Sequence, residues 1–279
     1  MKIIIPMAGT GDRFVKAGYT SPKPLITVGG KKIIEYICDM FDKEEDEFIF
    51  ICNEKHLAET NMRWTLKNLV DNYKILSIPN HKRGPVHTVL ESGVLRHIED
   101  NEEVIVCYCD NPYVWNYEHF KKTVRETNSE GCILSHVDFH PHRLSGTLMA
   151  YMKQKDLIVS EIKEKSYYTE NPEQEHASTG TYYFKKGSYL KKYFNELVEK
   201  NINHNGEFYV TLIYNLLIQD SLKVTCYPTE YALVFGVPSE VENFEAWQTI
   251  LSESQVKNEE DLIKSYRYWK KYNESRNPL

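Results

Sequence analysis

Three charged side chains in the first half of this chain are spaced in a way that suits polyphosphate chemistry. The apolar run Ile3-Ile4-Ile5 breaks into the small-residue turn Pro6-Met7-Ala8-Gly9-Thr10-Gly11, followed by Asp12, Arg13 and Phe14. Glycines in such a turn let backbone N–H groups close on an anion, because no side chain stands in the way. Arg13 and Lys23 add full positive charges. Lys23 lies between Pro22 and Pro24, which restrict the backbone on both sides and predict a stiff extended segment. Asp110 ends a second apolar run, and a carboxylate at the tip of a buried strand suits a hard divalent cation that bridges phosphates. A tight strand-to-helix turn would use Gly9 and Gly11 equally well, so the turn is informative only together with Arg13 and Lys23. It is not a dinucleotide fingerprint, since Phe14 stands where the third glycine belongs, nor a P-loop, since no Lys-Ser/Thr pair follows Gly11.

Such residues need a scaffold that brings strand ends together. Strand-like apolar runs at 2–7, 47–52, 74–79 and 103–109 alternate with helix-like segments. Their β-branched and aromatic content suits parallel strands buried on both faces. Between them, 31–42 places Ile33, Tyr36, Ile37, Met40 and Phe41 on one helical stripe, and 85–98 places Val86, Leu90, Val94 and Ile98 on another. This alternation predicts a doubly wound α/β sheet, whose ligands sit outside the C-terminal strand ends. The glycine turn and Asp110 both fall there. In the second half, strand-like pieces at 131–137, 147–153, 157–162 and 177–185 follow one another, predicting an antiparallel or mixed lobe. Helices are expected at 188–200 and 207–219. Ser239 with Glu242 reads as a capping box opening a helix through Trp247, and 259–272 is an amphipathic helix able to pack on the domain or on another subunit. The polar segment 164–176 is the expected mobile loop over a site.

The totals bound the possibilities. A chain of 279 residues, 41% hydrophobic and 27% charged, has the composition of a globular protein with one large α/β domain or two joined lobes. A net charge of −6 argues against nucleic-acid binding. No apolar run approaches the roughly 18 residues of a membrane span, and Pro6 and Gly9 interrupt any signal-peptide pattern; a cytoplasmic location is expected. Cys38, Cys52, Cys107, Cys109, Cys132 and Cys226 sit among apolar neighbours without a CxxC pair, which predicts buried reduced thiols. His136, His140 and His142 straddle a strand end and a proline, a poor frame for a metal.

The segment from Ile3 to Tyr36, MAGTGDRF and then PKPLITVGGKKIIEYI, resembles the signature of the sugar-phosphate nucleotidyltransferases, the pyrophosphorylases that make nucleotide sugars. A thinner resemblance runs on to about residue 244. It implies a Rossmann-like α/β/α fold with a mixed, mainly parallel sheet and a smaller sugar-binding lobe. Residues 1–244 would form the transferase domain, with a nucleotide part to about 130, an acceptor part over about 131–235, and a helical extension at 245–279. The implied reaction is attack of a sugar-phosphate oxygen on the α-phosphorus of a nucleoside triphosphate, with Mg2+ as cofactor and pyrophosphate released. The resemblance assigns Arg13 to the β and γ phosphates, Lys23 to the transferred phosphorus and Asp110 to magnesium. It assigns Ala8, Gly9, Thr10, Gly11, Asn80 and Gly84 to the nucleotide, Gly84 letting the base approach the backbone. Gly146, Glu164, Lys165, Thr179 and Glu207 match acceptor positions, with Glu161 and Lys163 one alternation away from the Glu-Lys pair. The family's second metal carboxylate precedes a Gly-Thr pair, but here Leu233-Val234-Phe235-Gly236-Val237-Pro238 has no acid before the glycine. Either Asp110 and substrate phosphates hold the metal alone, or a nearby acid such as Glu240 substitutes.

Tyr151, Tyr167, Tyr168, Tyr182 and Tyr183, among 20 tyrosines, flank the acceptor lobe and could stack on a polar ring or simply pack. The chain carries no C-terminal repeat tract like those of bifunctional relatives, so the transferase activity alone is expected, serving surface-polysaccharide or glycoconjugate synthesis. A cytidylyltransferase acting on a non-sugar phosphorylated alcohol or amino compound would share the same signature. A glycosyltransferase of similar fold would want a second aspartate, which Asp110-Asn111-Pro112 lacks. A nucleotide-binding regulator would release no pyrophosphate.

Overall fold

The computed structural model of the protein describes residues 1–137 and 149–253. Ile3, Ile4 and Ile5 are fully buried because strand β1 (Lys2–Met7) lies inside a sheet covered on both faces. Ile4 packs into one apolar cluster and Ile3 and Ile5 into another, as the period-2 alternation of a strand requires. After β1 come helix α1 (Asp12–Lys16), the two-residue strands β2 (Thr27–Val28) and β3 (Lys31–Lys32), and helix α2 (Ile33–Cys38). Strand β4 (Glu47–Asn53), helices α3 (Glu54–Glu59) and α4 (Met62–Lys67), strand β5 (Tyr73–Ile78), helix α5 (Pro85–Glu91) and strand β6 (Val104–Cys107) complete the first half. Strands β5, β4, β1 and β6 lie side by side, all parallel. Their ends therefore open on one edge of the sheet, the geometry that gathers a ligand site.

The second half extends the same sheet instead of building a separate one. It contains β7 (Tyr113–Val114), α6 (Tyr117–Glu126), β8 (Gly131–His136), β9 (Ala150–Lys155), β10 (Ile158–Glu164), β11 (His176–Phe184), α7 (Gly187–Glu199), α8 (Val210–Gln219), β12 (Val224–Pro228), β13 (Tyr231–Ala232) and α9 (Pro238–Glu253). The nine-stranded order is β5-β4-β1-β6-β11-β8-β12-β10-β9. Strand β11 runs antiparallel between β6 and β8, while β12 pairs parallel with β8 and antiparallel with β10. Only β11 and β10 run against the common direction, which gives a mixed, mainly parallel sheet. Tyr182 and Phe184 of β11 join the cluster that α7 and α8 cover, and Tyr183 joins the opposite one with Phe120 of α6. Helices thus lie on both faces.

Several details differ from the sequence expectation. Lys31 and Lys32 pair with Val28 and Thr27 in a hairpin, so α2 begins at Ile33. The 85–98 stripe is two pieces, α5 and a short 3-10 helix at Val94–His97, separated by Gly93. Lys23 is not on an extended segment. It opens a 3-10 turn, Lys23–Leu25, with Pro24 at a first-turn position whose missing N–H costs nothing. The segment expected to be a mobile loop, 164–176, is organised by Glu175, whose carboxylate accepts the Tyr168 and Thr169 backbone N–H groups. Helix α9 begins at Pro238, its first turn tied down by Glu240 instead of a Ser239 cap. Gly146, His140, His142 and the helix expected at 259–272 lie outside the described residues.

Candidate active site

A cavity of about 450 Å³ opens where β1 and β6 end and β11 begins. Gly9, Thr10, Gly11 and Arg13 line it from the turn after β1, and Lys23 lines it from the 3-10 turn. Asp110 reaches it from the turn after β6 and Gly84 from the loop after β5, so the three charged groups singled out by spacing share one wall. Glu164, Lys165 and Glu207 line the same cavity.

The Lys23 ammonium donates to Asp110 Oδ2 at 2.5 Å. Both side chains are largely withdrawn from solvent, keeping 21% and 17% of their exposure. Burial alone would pull the Lys23 pKa down, but the Asp110 carboxylate beside it outweighs that and the net direction is up. Lys23 is therefore a fixed cation. Behind this pair, Phe235 N–H donates to the Asp110 carbonyl, and Glu240, itself buried, accepts the N–H groups of Gly236 and Val237. A Cβ on Gly236 would lie 3.3 Å from Glu240 Oε2 and 3.5 Å from Asp110 Oδ2. Two carboxylates thus flank one glycine, one facing a cation and the other spent on backbone donors.

Magnesium prefers one or two carboxylates plus substrate phosphates over an all-protein cage. Among the described residues no group of three or more His, Cys, Asp or Glu is arranged to hold a metal. Asp110, which already carries a cation on the cavity wall, fits the one-carboxylate arrangement. The Glu240 oxygen is occupied by its two N–H donors.

The Glu164 side chain keeps only 6% exposure. Its Oε2 accepts the Thr211 hydroxyl at 2.5 Å, and the Lys165 ammonium lies 3.9 Å from Oε1. Burial raises the Glu164 pKa despite that hydroxyl and Lys165. Lys165 holds a left-handed conformation, φ 55, with its N–H on the Met149 carbonyl, and its ammonium lies 5.8 Å from the Tyr209 ring centre. Tyr209 donates to Glu207 at 3.1 Å. Lys163 faces the Tyr168 ring instead, and Glu161 pairs in register with Lys153; neither lines the cavity.

Some residues expected at the site stand elsewhere. Ala8 is buried behind the turn, its carbonyl taken by the Asn53 amide. Asn80 is exposed off the cavity wall. Thr179 is buried with its hydroxyl on the Leu134 carbonyl, while its neighbours Ser178 and Gly180 line the cavity. Gly84 lines the cavity, and a Cβ there would meet the Phe208 backbone N at 2.7 Å and O at 2.8 Å, so its bare backbone also admits a close approach by the protein itself.

Sequence reasoning missed Tyr108, which lines the cavity together with His81 and Thr88, and gave Tyr182 only a flanking role. Tyr108 was legible in principle, because strand alternation puts it on the same side as Asp110. Its ring meets Tyr182 edge-on at 5.2 Å, and its hydroxyl accepts the Val210 N–H at 3.3 Å. The six cysteines are free and buried; Cys109 beside the site has its thiol pushed up to about 12 by burial, and so is unreactive. His136 is buried in β8. Among the described residues no helix is long and apolar enough to cross a membrane.

This mixed α/β fold is shared with nucleotide-sugar pyrophosphorylases of known structure. The nucleoside-diphosphate-sugar pyrophosphorylase of Vibrio cholerae RC9 superposes with a TM-score of 0.69 at 23% identity, covering 88% of this chain and 99% of that one. A putative glucose-1-phosphate thymidylyltransferase of Bacillus anthracis, solved with sucrose, gives 0.64 at 17% identity over 88% and 94%. A UTP-bound UGPase from Acinetobacter baumannii gives 0.65 at 16% identity over 94% and 98%. These show the fold. In sequence, the chain is similar to the bifunctional protein GlmU of Hydrogenovibrio crunogenus, 26% identical over 251 residues, which are 85% of this chain and 49% of that protein. The chain spans about half the length of the curated relatives it matches. The nucleotidyl transferase family profile matches residues 2–221, and the chain belongs to that family.

Proposed function

We propose that this protein condenses a nucleoside triphosphate with a phosphorylated sugar, or a related phosphorylated alcohol, to give an activated donor and pyrophosphate. The observation that carries this reading is one cavity lined both by Arg13, Lys23 and Asp110 and by Glu164, Lys165 and Glu207. The nucleophile is already a phosphate oxygen, so no strong base is required. What the reaction demands is the alignment of two anions and stabilisation of charge on the departing pyrophosphate. Arg13 and Lys23 answer that demand on the triphosphate side. Lys165 would receive the acceptor's phosphate and Glu164 and Glu207 its hydroxyls. Asp110, with substrate phosphates, would hold Mg2+, which when bound neutralises phosphate charge. The product would feed surface-polysaccharide or glycoconjugate assembly.

Pyrophosphate release from a panel of nucleoside triphosphates against sugar phosphates and phosphorylated polyols and amino alcohols tests the reading. Sugar-phosphate-dependent release that rises with Mg2+ and is lost in Asp110→Ala supports it. Release only with a non-sugar phosphate moves the protein among the cytidylyltransferases, and binding without release makes it a regulator.

A further inference from the structure

His81, in the loop between β5 and α5, lines the cavity but spends both ring nitrogens inside the protein. Its Nδ1 accepts the Arg83 backbone N–H at 3.1 Å. An accepting Nδ1 carries no proton, so in the neutral ring the proton sits on Nε2. Nε2 lies 2.9 Å from Thr88 Oγ1 and must donate to it. The Thr88 hydroxyl, receiving that proton, turns its own to the Gly84 carbonyl, 3.3 Å away. Each donor in this chain has one acceptor, and the direction is fixed from end to end. Arg83 in turn accepts Phe208 N–H at its carbonyl, so the chain connects to the acceptor-side hairpin.

We infer that neutral His81 is a positioning residue that locks the 80–84 loop into the shape forming the nucleotide wall of the cavity, and that its protonation unlocks the loop. This rests on the nucleotide-binding reading above. Protonation would turn Nδ1 into a donor facing the Arg83 N–H, replacing a hydrogen bond with a repulsion. The surroundings oppose protonation: burial, then the His87 ring 4.7 Å away, lower the His81 pKa, and the cation of Arg83 acts in the same sense. Glu91 on α5 acts against them, more strongly than Arg83 acts with them, without reversing the direction, and it also lies 3.8 Å from His87 Nε2. Across the cavity mouth Lys82 pairs with Asp12, next to Arg13. The loop is therefore locked at neutral pH and released only below the ordinary histidine range of about 6.5.

His81→Asn separates the two roles of the ring. Its side-chain oxygen can accept the N–H two residues on, as in an Asx turn, yet it does not titrate. The experiment measures nucleoside triphosphate affinity by calorimetry from pH 5 to 8 in the wild type, His81→Asn, His81→Ala and His87→Gln. The wild type is expected to weaken about ten-fold more on the acid side than His81→Asn, the change that loss of one such hydrogen bond produces. The triphosphate's own titration is common to all four proteins and cancels in that comparison. His81→Ala should be weak at every pH, and His87→Gln should keep the acid loss. Long-range proton–nitrogen spectra of the imidazoles should show His81 as the Nε2–H tautomer at pH 7. Identical pH profiles for the wild type and His81→Asn, or an Nδ1–H tautomer, would overturn the inference. Absence of triphosphate binding at any pH would instead overturn the nucleotide-binding reading, while the tautomer still tests the lock.

Discussion

Replacing Gly84 with alanine tests how two parts of the cavity lining are joined. Gly84 has φ 85 and ψ 175, a region essentially reserved for glycine, and forcing an L-residue there costs about 1–3 kcal/mol. The new methyl would also stand 2.7 Å from Phe208 N and 2.8 Å from Phe208 O, both backbone atoms. Those atoms are not idle: Phe208 N–H donates to Arg83 O at 2.9 Å and Phe208 O accepts Val86 N–H at 3.1 Å. Relieving the clash means separating the strands of chain and giving up both bonds, each worth about 1 kcal/mol net. The expected loss is about 3–5 kcal/mol, or a fall of roughly 6–20 °C in Tm. Because Glu207 precedes Phe208, the KM values for nucleotide and acceptor should rise together. Gly9→Ala is the contrast. A Cβ on Gly9 meets nothing within 4 Å, so Tm should hold within about 2 °C while triphosphate affinity falls from crowding of the turn. Thermal unfolding and steady-state kinetics on both variants decide the matter. A Gly84→Ala protein with unchanged Tm and unchanged KM for both substrates would refute the argument.

Lys23→Ala should lower turnover about 10²–10³-fold, the usual cost of removing a preorganised charge partner from a phosphoryl site, with a much smaller effect on Tm; turnover within two-fold of wild type would remove Lys23 from the mechanism. Gly180→Ala, at φ 84, would put a Cβ 2.8 Å from Asn111 Nδ2 and 3.1 Å from Tyr108 Cδ2. The turn carrying Asp110 must then shift, and kcat should drop at least about ten-fold, which stopped-flow pyrophosphate assays would read. Glu164 has its pKa raised by burial, so the folded state holds the proton more tightly than the unfolded chain. Stability should therefore fall as pH rises from the ordinary glutamate value through the raised one. Glu164→Gln should remove that slope in denaturant titrations while raising the acceptor KM; an unchanged slope would show that the carboxyl is not the titrating group.

The grouping of Arg13, Lys23 and Asp110 was legible because these residues sit where chain rules are strict. Apolar runs such as 2–7 and 47–52 appear as β1 and β4 within a residue, since strands buried on both faces admit little but β-branched and aromatic side chains. Turns that follow parallel strands must then meet, which brings Arg13 and Asp110 together. What escaped notice depends on contacts far apart in sequence. Strand β12, a short segment with a proline at its end, becomes an interior strand only because β8 and β10 flank it. Helix α6 carried a signal in Phe120 and Val124, one turn apart and both buried, but its polar remainder masked it. The contact of Gly84 with Phe208 was unreadable, because Phe208 lies over a hundred positions away and nothing local announces its approach. Likewise, the commitment of Glu240 to two backbone donors follows from the turn at Gly236, not from any spacing of acids.

Strand β11 pairs with β6 on one side and β8 on the other, so a single sheet runs beneath the whole cavity, with its one β11–β8 register shift at Ser178–Tyr182 on the cavity floor. If the proposed transfer holds, changes in the loops and hairpins around the cavity would retune acceptor choice without disturbing the strand ends that carry Arg13 and Asp110.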